Sequence, residues 1–239
     1  MRKEVKYKRI LLKLTGEIFG GTKKKGLDFS AIQKVALYIH ELVKETKVEC
    51  AIVIGAGNLF RAREILGTKV DRATADHIGM LGTIMNALAL QEALERLGSS
   101  VRVMSALEAS RVCEPFIRRR AIRHLEKGRI VIVAGGTGSP FFTTDSAAAL
   151  KACELNCEII LKASNTDGVY DKDPKIHKSA KMYSKVSFQN ALRKKLMVMD
   201  TTAFALCQQE QIPIIVFNVK QLKNIEKAVY GEKVGTLVF

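Results

Sequence analysis

A run of five apolar residues, Cys50-Ala51-Ile52-Val53-Ile54, leads directly into the turn Gly55-Ala56-Gly57. Apolar and polar residues do not alternate in this run, and its last three positions are β-branched residues, which favour strands. A strand that is packed on both faces has this pattern, because neither face needs polar side chains. The run therefore predicts a buried strand of a parallel sheet with helices on both sides.

Strands and helices continue to alternate on both sides of this run. Further strands are predicted at Arg9–Leu14, Val101–Met104, Arg129–Val133, Glu158–Lys162, Pro213–Asn218 and Thr236–Val238. Helical periodicity predicts helices at Ser30–Glu45, Ala73–Leu97, Ile117–Lys127, Ser146–Glu154, Thr201–Glu210 and Leu222–Tyr230. This order predicts an α/β fold, a three-layer αβα sandwich around a mostly parallel sheet. No linker is visible, so we expect one domain over residues 1–239, with a long surface loop at Asp171–Lys185.

The chain is strongly basic, with 39 Lys and Arg against 24 Asp and Glu and a formal net charge of +15. Its 47% of hydrophobic residues excludes a collagen, a coiled coil and a largely disordered chain. Excess positive charge favours anionic partners, namely nucleic acid, acidic lipid or phosphorylated small molecules. The charge does not by itself choose among these partners.

Cysteine and histidine give no sign of a metal site or of a disulfide framework. The five Cys form no CxxC pair, and the four His lack metal-ligand spacing. Buried free thiols are typical of a reducing compartment, and no apolar stretch is long enough to cross a membrane. We therefore expect a cytoplasmic protein without a membrane partner.

Glycine- and hydroxyl-rich segments follow several of the predicted strands. They begin at Lys13, Gly55, Ala134 and Ala163. The carboxyl ends of parallel strands meet at one edge of a sheet, and glycine lets backbone N–H groups approach an anion there. With Lys13, Arg61 and Lys162 nearby, these turns predict phosphate binding. The sequence lacks GxxxxGK[ST], GxGxxG and protein-kinase motifs, which excludes those phosphate-binding layouts.

Six motifs resemble, in the same order, those of the bacterial uridylate (UMP) kinases, a branch of the amino acid kinase family. They are Lys13-Leu14-Thr15-Gly16-Glu17, residues 54–61, residues 76–81, residues 136–145, Asp167-Gly168-Val169-Tyr170 and Val198-Met199-Asp200. The resemblance extends from about Lys8 to Leu237. It implies an amino acid kinase fold and transfer of the γ-phosphoryl group of ATP to UMP, in pyrimidine nucleotide synthesis.

The resemblance also implies a catalytic group. Lys13 and Lys162 would neutralise the phosphoryl group in transfer, and Asp145 would hold both lysines. The attacking phosphate oxygen of UMP is already anionic, so no strong general base is required. We expect Mg²⁺ to be held mainly by nucleotide phosphates and water, with no side chain assigned as its ligand.

Nucleotide contacts follow from the same resemblance. The UMP site is expected at Ala56, Arg61, Asp76, Thr137, Gly138, Ser139, Pro140, Phe141, Phe142, Thr143 and Thr144. The ATP site is expected at Lys13, Leu14, Thr15, Gly16, Gly57, Arg61, Ser164, Tyr170 and Asp173. UMP would then bind on the N-terminal side, roughly residues 1–150, and ATP on the C-terminal side, roughly residues 151–239.

Several of these side chains have structural alternatives. Asp145 is placed to cap the helix that starts near Ser146, and Asp173 is placed to begin a turn. Tyr170 alone is compatible with a core position. For Asp200 we favour the role of helix cap.

Four positions differ from the common family residues. Ala56 replaces the middle glycine of a Gly-Gly-Gly-Asn run, so we predict either a negative φ at Ala56 or a shifted UMP phosphate. Ser139 and Ser164 replace Asn and Thr and keep a polar group. Asn165 replaces a common Lys, which removes one positive charge beside the ATP site.

Expectations about regulation and assembly come only from the resemblance. The segment 20–28, with its lysines at 23–25, resembles a loop linked to GTP activation, and a solvated charge run is an equal alternative. UTP is a second candidate effector. The helix containing Met80, Leu81, Ile84, Met85 and Leu88 is a candidate subunit interface of a homohexamer.

Two other functions remain open on the sequence. One is an amino acid kinase family enzyme that acts on a carboxylate or carbamate, against which residues 137–144 argue. The other is a non-catalytic basic nucleotide sensor or nucleic-acid-binding protein. Lys13, Lys162 and Asp145 argue against lost catalysis, and no basic motif interleaved with aromatic residues predicts a dedicated nucleic acid partner.

Overall fold

A nine-stranded sheet forms the centre of the described part of the chain, residues 4–61 and 69–239, in this computed structural model. The strands are β1 (Arg9–Leu14), β2 (Glu49–Ile54), β3 (Val101–Ser105), β4 (Glu114–Pro115), β5 (Ile130–Ala134), β6 (Ile159–Ser164), β7 (Lys185–Val186), β8 (Ile214–Asn218) and β9 (Thr236–Val238). The helices are α1 (Phe29–Thr46), α2 (Arg72–Arg96), α3 (Arg118–Glu126), α4 (Thr144–Glu154), α5 (Phe188–Arg193), α6 (Thr201–Gln209) and α7 (Lys223–Val229). A 3₁₀ segment, Gly16–Lys23, follows β1.

The strands lie in the order β4-β3-β5-β2-β1-β6-β8-β9-β7. All neighbours are parallel except β8 and β9, which are antiparallel. Strands β1 to β5 therefore lie on one side of the β1–β6 boundary and the later strands on the other. At such a switch point the flanking loops diverge, so the carboxyl ends of β1 and β6 border a crevice.

Helices cover both faces of the sheet. Strand β1 shows the division, because Ile10, Leu12 and Leu14 join the core under α1, α2 and α7, whereas Leu11 joins the core under α3 to α6. Since successive side chains of a strand point to opposite faces, Lys13 lies on the same face as Leu11. The predicted three-layer αβα sandwich around a mostly parallel sheet is confirmed.

Side-chain caps set where the helices around the crevice begin. The Thr143 hydroxyl accepts hydrogen bonds from the backbone N–H groups of Asp145 and Ser146, so Thr143 is the N-cap of α4. The suggestion that Asp145 caps this helix is therefore wrong, and Asp145 lies in the first turn. Asp200 caps α6 by accepting from the N–H of Ala203 at 2.9 Å, as expected.

Most predicted elements lie within two residues of the observed ones. The 3₁₀ segment, the two-residue strands β4 and β7 and the six-residue helix α5 were not predicted. Elements this short contain too few residues to establish a periodicity. Between residues 165 and 184 the described chain has no helix or strand, in agreement with a long loop there, although an isolated bridge joins Tyr170 and Met182.

Two predictions about side-chain burial need correction. All five cysteines are free, but only Cys50, Cys157 and Cys207 are buried, whereas the thiols at 113 and 153 are half-buried. In α2, the candidate interface residues Met80 and Ile84 are buried in the core. The exposed apolar residues of this helix are Ile78, Leu81 and Met85.

No helix among residues 4–61 and 69–239 is long and apolar enough to span a bilayer.

Candidate active site

Lys13 and Lys162 lie side by side near the carboxyl ends of β1 and β6. The two residues are direct partners in the parallel register of these strands, so their side chains leave the same face of the sheet. Asp145, in the first turn of α4, lies between them. Lys13 Nζ is 2.7 Å from Asp145 Oδ1, and Lys162 Nζ is 2.6 Å from Asp145 Oδ2. The fold thus brings together the three predicted catalytic residues.

The two lysines are held to different degrees. Lys162 Nζ donates to Asp145 Oδ2 and, at 2.7 Å, to the carbonyl oxygen of Val198. Lys13 Nζ is close to Asp145 Oδ1, but the pair is poorly aligned for a hydrogen bond. An ammonium group has three donors. Lys162 therefore keeps one donor for a ligand, and Lys13, whose ammonium group lies 2.7 Å from Asp145 Oδ1, keeps two.

Burial and neighbouring charges shift the acidities of this group in defined directions. Burial alone would raise the pKa of the Asp145 carboxyl group, but the attraction of Lys13 and Lys162 outweighs it and lowers the pKa. Burial lowers the pKa of the Lys162 ammonium group, which the Asp145 carboxylate only partly offsets. Two ammonium groups contact one carboxylate here. The nearby Asp200 carboxylate, which raises the pKa of Lys162, accepts from the Thr143 and Ser146 hydroxyl groups, so ammonium donors remain for an anionic ligand.

Asp200 does more than cap α6. Its carboxylate also accepts hydrogen bonds from the hydroxyl groups of Thr143 and Ser146, which flank Asp145. The loop before α6 is therefore bound to the start of α4 at Asp200 and to Lys162 at Val198. The motif Val198-Met199-Asp200 marked this segment by resemblance, but nothing in the sequence indicated a role for the Val198 carbonyl, because every residue has one.

A cavity of about 210 Å³ lies between the turn after β2, helix α2 and the start of α4; neither lysine lines it, but Thr144, the neighbour of Asp145, does. Of the predicted UMP contacts, it is lined by Ala56, Asp76, Phe142, Thr143 and Thr144. Its other lining residues are Gly57, Phe60, Ala75, Gly79, Met80, Thr83 and Gly136. The cavity thus contains glycine backbone, hydroxyl groups and one carboxylate.

The other predicted UMP contacts lie at the rim or beyond it. Asp76 Oδ2 accepts from the N–H of Phe141 at 2.8 Å, and Phe141 has the left-handed φ of +72° that is uncommon for a non-glycine residue. The Thr137 hydroxyl is used within its own turn, where it donates to the carbonyl of Ser139. Gly138 and Pro140 belong to the same turn and do not line the cavity.

A buried pair of asparagines supports the turn after β2, and neither was predicted as a site residue. The Nδ2 group of Asn86 donates to the carbonyl of Gly55 and to Asn58 Oδ1, both at 2.8 Å. Asn58 Nδ2 donates to Asn86 Oδ1 and to the carbonyl of Gly26. In the sequence, the signal that could have revealed this pair is an Asn among the apolar positions of a predicted helix, because a buried polar side chain needs hydrogen-bond partners. The structure shows that Asn86 is fully buried.

Ala56 fits into this turn because α2 has a glycine opposite it. The φ angle of Ala56 is not positive, which agrees with the first of the two predicted outcomes. A Cβ atom added to Gly82 would lie 2.9 Å from the Cβ of Ala56. The methyl group of Ala56 therefore occupies the space that a side chain at Gly82 would need.

Most of the predicted ATP residues lie on the β1 and β6 side of the cavity. Two do not: Gly57 lines the cavity itself, and Arg61 is bonded to the Gly57 carbonyl. Leu14 ends β1, and Gly16 packs so closely on β2 that an added Cβ would lie 2.3 Å from the Gly55 carbonyl oxygen. Ser164 ends β6 and Tyr170 is half-buried. Asp173 is exposed and accepts from the N–H of Lys175 in a turn, as its structural alternative predicted. Thr15 precedes the 3₁₀ segment without capping it.

The chain is similar to known proteins over most of its length. Residues 8–218 match the amino acid kinase family. The chain is similar to the crystal structure of the UMP kinase from Bacillus anthracis, with 40% identity and a TM-score of 0.93 over 97% of this chain and 96% of that chain. It is similar to the UMP kinase from Ureaplasma parvum, with 37% identity and a TM-score of 0.90 over 100% and 99% of the two chains.

A more distant similarity is to the uridylate kinase from Archaeoglobus fulgidus, with 28% identity and a TM-score of 0.74 over 96% of this chain and 99% of that chain. The family match covers most of the chain, and the similar structures cover nearly all of it. The chain belongs to the amino acid kinase family.

Proposed function

We propose that this protein is a UMP kinase, which transfers the γ-phosphoryl group of ATP to UMP and releases ADP and UDP. The observation that carries the proposal is the pair Lys13 and Lys162, adjacent in the sheet and joined by Asp145 at the strand ends. Two full-length structural relatives of 37–40% identity, both named UMP kinases, support the choice of substrate.

The reaction needs positioning and charge neutralisation more than acid–base chemistry. A phosphate oxygen of UMP attacks the γ-phosphorus of ATP, and the bond from that phosphorus to the β–γ bridging oxygen breaks. The free donors of Lys13 and Lys162 stabilise the charge on the transferred group. The second pKa of a phosphate ester is about 6, so UMP is largely dianionic at pH 7 and no base has to remove a proton.

We propose that the two substrates approach the lysines from opposite sides. The 210 Å³ cavity beside β2 would hold UMP, with the N–H of Ala56 and the Thr144 hydroxyl near its phosphate. ATP would lie on the β6 side, near Ser164, Tyr170 and Asp173. Because the strand order divides between β1 and β6, this assigns UMP to about residues 1–150 and ATP to about residues 151–239.

Mg²⁺ would enter with ATP. The described residues contain no group of three or more side chains that could hold a metal ion, and an ion bound through nucleotide phosphates and water needs none. When bound, it would supply further positive charge to the phosphates. We assign no protein ligand to it.

Regulation and assembly are further parts of the proposal. The lysines at 23–25 are exposed, and the next residue, Gly26, is bonded to Asn58 beside the UMP cavity. This connection supports a GTP or UTP effector acting through that loop. The exposed Ile78, Leu81 and Met85 of α2 support a homo-oligomer, with a hexamer as the expected form.

The test is a coupled ADP-release assay with UMP, CMP and dUMP, and with an amino acid carboxylate as acceptor. We expect strong preference for UMP. Lys13→Ala and Lys162→Ala should each lower kcat by about 10³-fold or more, because each removes a cation from the transferred group. Arg9→Ala, which removes a cation from the same strand β1 outside the site, should leave kcat within about threefold.

Equal turnover of CMP, or preferred turnover of the carboxylate, would overturn the choice of substrate. Full activity after loss of either lysine would overturn the mechanism.

A further inference from the structure

Glu17 occupies a position between the two halves of the candidate site. It follows Gly16 at the start of the 3₁₀ segment, where the glycine allows the chain to lie against the Gly55 carbonyl. One carboxylate oxygen of Glu17 pairs with Arg61, which is bonded in turn to the Gly57 carbonyl at the candidate UMP cavity. The other accepts a hydrogen bond at 3.0 Å from Asn165 Nδ2, on the ATP side. Glu17 thus contacts both sides of the crevice with a single carboxylate.

Arg61 is held on one edge only. Its Nε donates to the carbonyl of Gly57 at 2.8 Å, and its Nη2 donates to Glu17. These two donors form one edge of the planar guanidinium group, which has five N–H donors in all. Among the described residues, no protein acceptor takes the other three, which lie on Nη1 and Nη2. That free edge has the two-pronged shape that suits a phosphate group.

The ion pair between Glu17 and Arg61 is partly buried, so its geometry affects how Arg61 can bind a ligand. The side chains of Glu17 and Arg61 are 18% and 22% exposed, so the pair is less screened by water than a surface ion pair. A flexible arginine without fixed partners would lose more side-chain entropy when it binds a ligand.

We infer that Glu17 is a positioning residue that holds the Arg61 guanidinium with its free edge toward the UMP phosphate. This rests on the proposed function, because it assumes that Arg61, predicted for both nucleotide sites, binds UMP rather than ATP. Asn165 fixes the rotation of the Glu17 carboxylate from the ATP side. A consequence is that Asn165, which stands where the family commonly has Lys, acts on UMP binding through Glu17.

The experiment measures kcat and the KM for UMP and for ATP in single and double variants. Glu17→Ala should raise the KM for UMP about 10-fold and change kcat and the KM for ATP less than about threefold, because a charge-assisted contact is lost from ground-state binding. Glu17→Gln keeps an acceptor oxygen for Arg61 and should raise the KM only about threefold. Asn165→Ala should have a smaller effect of the same sign.

The double variant separates positioning from a structural effect. In an Arg61→Ala background, removing Glu17 should raise the KM for UMP no further, since the group that Glu17 holds is gone. The matched control is Glu49→Gln, which removes a carboxylate paired with Arg9 at the opposite end of the sheet and should leave both KM values unchanged. Thermal unfolding shows whether each variant is folded. If Glu17→Ala does not fold, Glu17→Gln replaces it in the comparison with and without Arg61.

An unchanged KM for UMP in folded Glu17→Ala, or an effect that persists without Arg61, would overturn the inference and leave the proposed function intact. Failure of the unmodified protein to phosphorylate UMP would overturn the proposed function itself.

Discussion

The two ends of strand β1 carry ionic contacts of different composition. At its amino end, Arg9 pairs with Glu49 and donates to the Leu155 carbonyl at 2.8 Å, so one cation meets one carboxylate. Near its carboxyl end, Lys13 and Lys162 share Asp145, so two cations meet one carboxylate. In a balanced pair each charge has an oppositely charged partner. An excess charge that is sheltered from water lowers the stability of the fold unless an oppositely charged ligand binds to it. The difference points to the carboxyl end as the place for an anion.

Cavity size alone would favour the amino end of the strands over the candidate site. Two adjoining cavities at the amino-end edge measure about 580 Å³ and about 920 Å³, against about 210 Å³ for the cavity by the turn after β2. The following residues belong to the 580 Å³ cavity. It is lined by Lys44, Lys47 and Lys127, near the carboxyl ends of α1 and α3. Lysines near helix carboxyl ends complement the partial negative charge of the last carbonyls. These cations thus have a structural explanation, whereas the lysines at the carboxyl end have unused donors, which favours the carboxyl end as the candidate site.

The largest effect should come from removing the shared carboxylate. Asp145→Asn leaves two sheltered ammonium groups facing each other, so the free energy of unfolding should fall by about 3–5 kcal/mol. Glu49→Gln breaks the more exposed balanced pair and should cost about 1 kcal/mol. Chemical denaturation measures both. Inorganic phosphate should stabilise Asp145→Asn more than Glu49→Gln, and equal losses for the two variants would remove the distinction between the two ends.

The second test concerns the titration of Lys162. Burial and the nearby Lys13 lower its pKa, and Asp145 partly offsets this, so Lys162 should titrate below the ordinary lysine value of about 10.5. Asp145→Asn should lower the pKa further. The unfolded chain binds more protons between the folded and unfolded pKa values, so the contribution of Lys162 to stability should rise with pH across that window.

An NMR titration of ¹³C-labelled lysine side chains measures this pKa, with Lys162→Arg assigning the resonance. Titration of Lys162 together with the exposed lysines would show that the carboxyl-end group is more hydrated than its geometry indicates.

The smallest effect concerns the packing of the turn beside the lysines. Gly82→Ala should lower the free energy of unfolding by about 1–3 kcal/mol, because the new methyl group meets that of Ala56. Adding Ala56→Gly should restore most of the loss. The matched control is Gly79→Ala in the same helix, where the nearest atom is 3.8 Å away and better helix propensity should add about 0.5–1 kcal/mol. The free energies of unfolding of Gly82→Ala, Ala56→Gly, the double variant and Gly79→Ala are measured by urea denaturation. Additive effects at 56 and 82 would contradict the contact.

Much of the architecture was predictable because it depends on local patterns. The apolar run at 50–54 and the periodic residues of α1 and α2 indicate their structures within a few neighbours. Strands β4 and β7 were not predictable, because two residues contain no period and exist only by pairing with β3 and β9. The N-cap of α4 was misassigned because Thr143 and Asp145 are both good caps, and only the chain path selects between them.

The candidate site divides in the same way. The residue types of the site, lysines, glycines and hydroxyls after strands, are visible in the sequence and indicate phosphate chemistry. The partners that hold these residues are not visible in the sequence. Val198 acts through its backbone carbonyl, and Asn86 acts through a buried hydrogen bond to the Gly55 carbonyl. Glu17 acts through contacts with Arg61 and Asn165 from two other loops.

The sequence by itself determined the order of strands and helices, the glycine turns and the kind of ligand they suit, because these depend on residues that are close along the chain. Only the tertiary structure decided that β1 and β6 are neighbours, that Lys13 and Lys162 share a register and a face, and that Asp145 joins them. The physical reason is that strand order is selected by how all the helices cover the two faces of the sheet, which no local pattern contains.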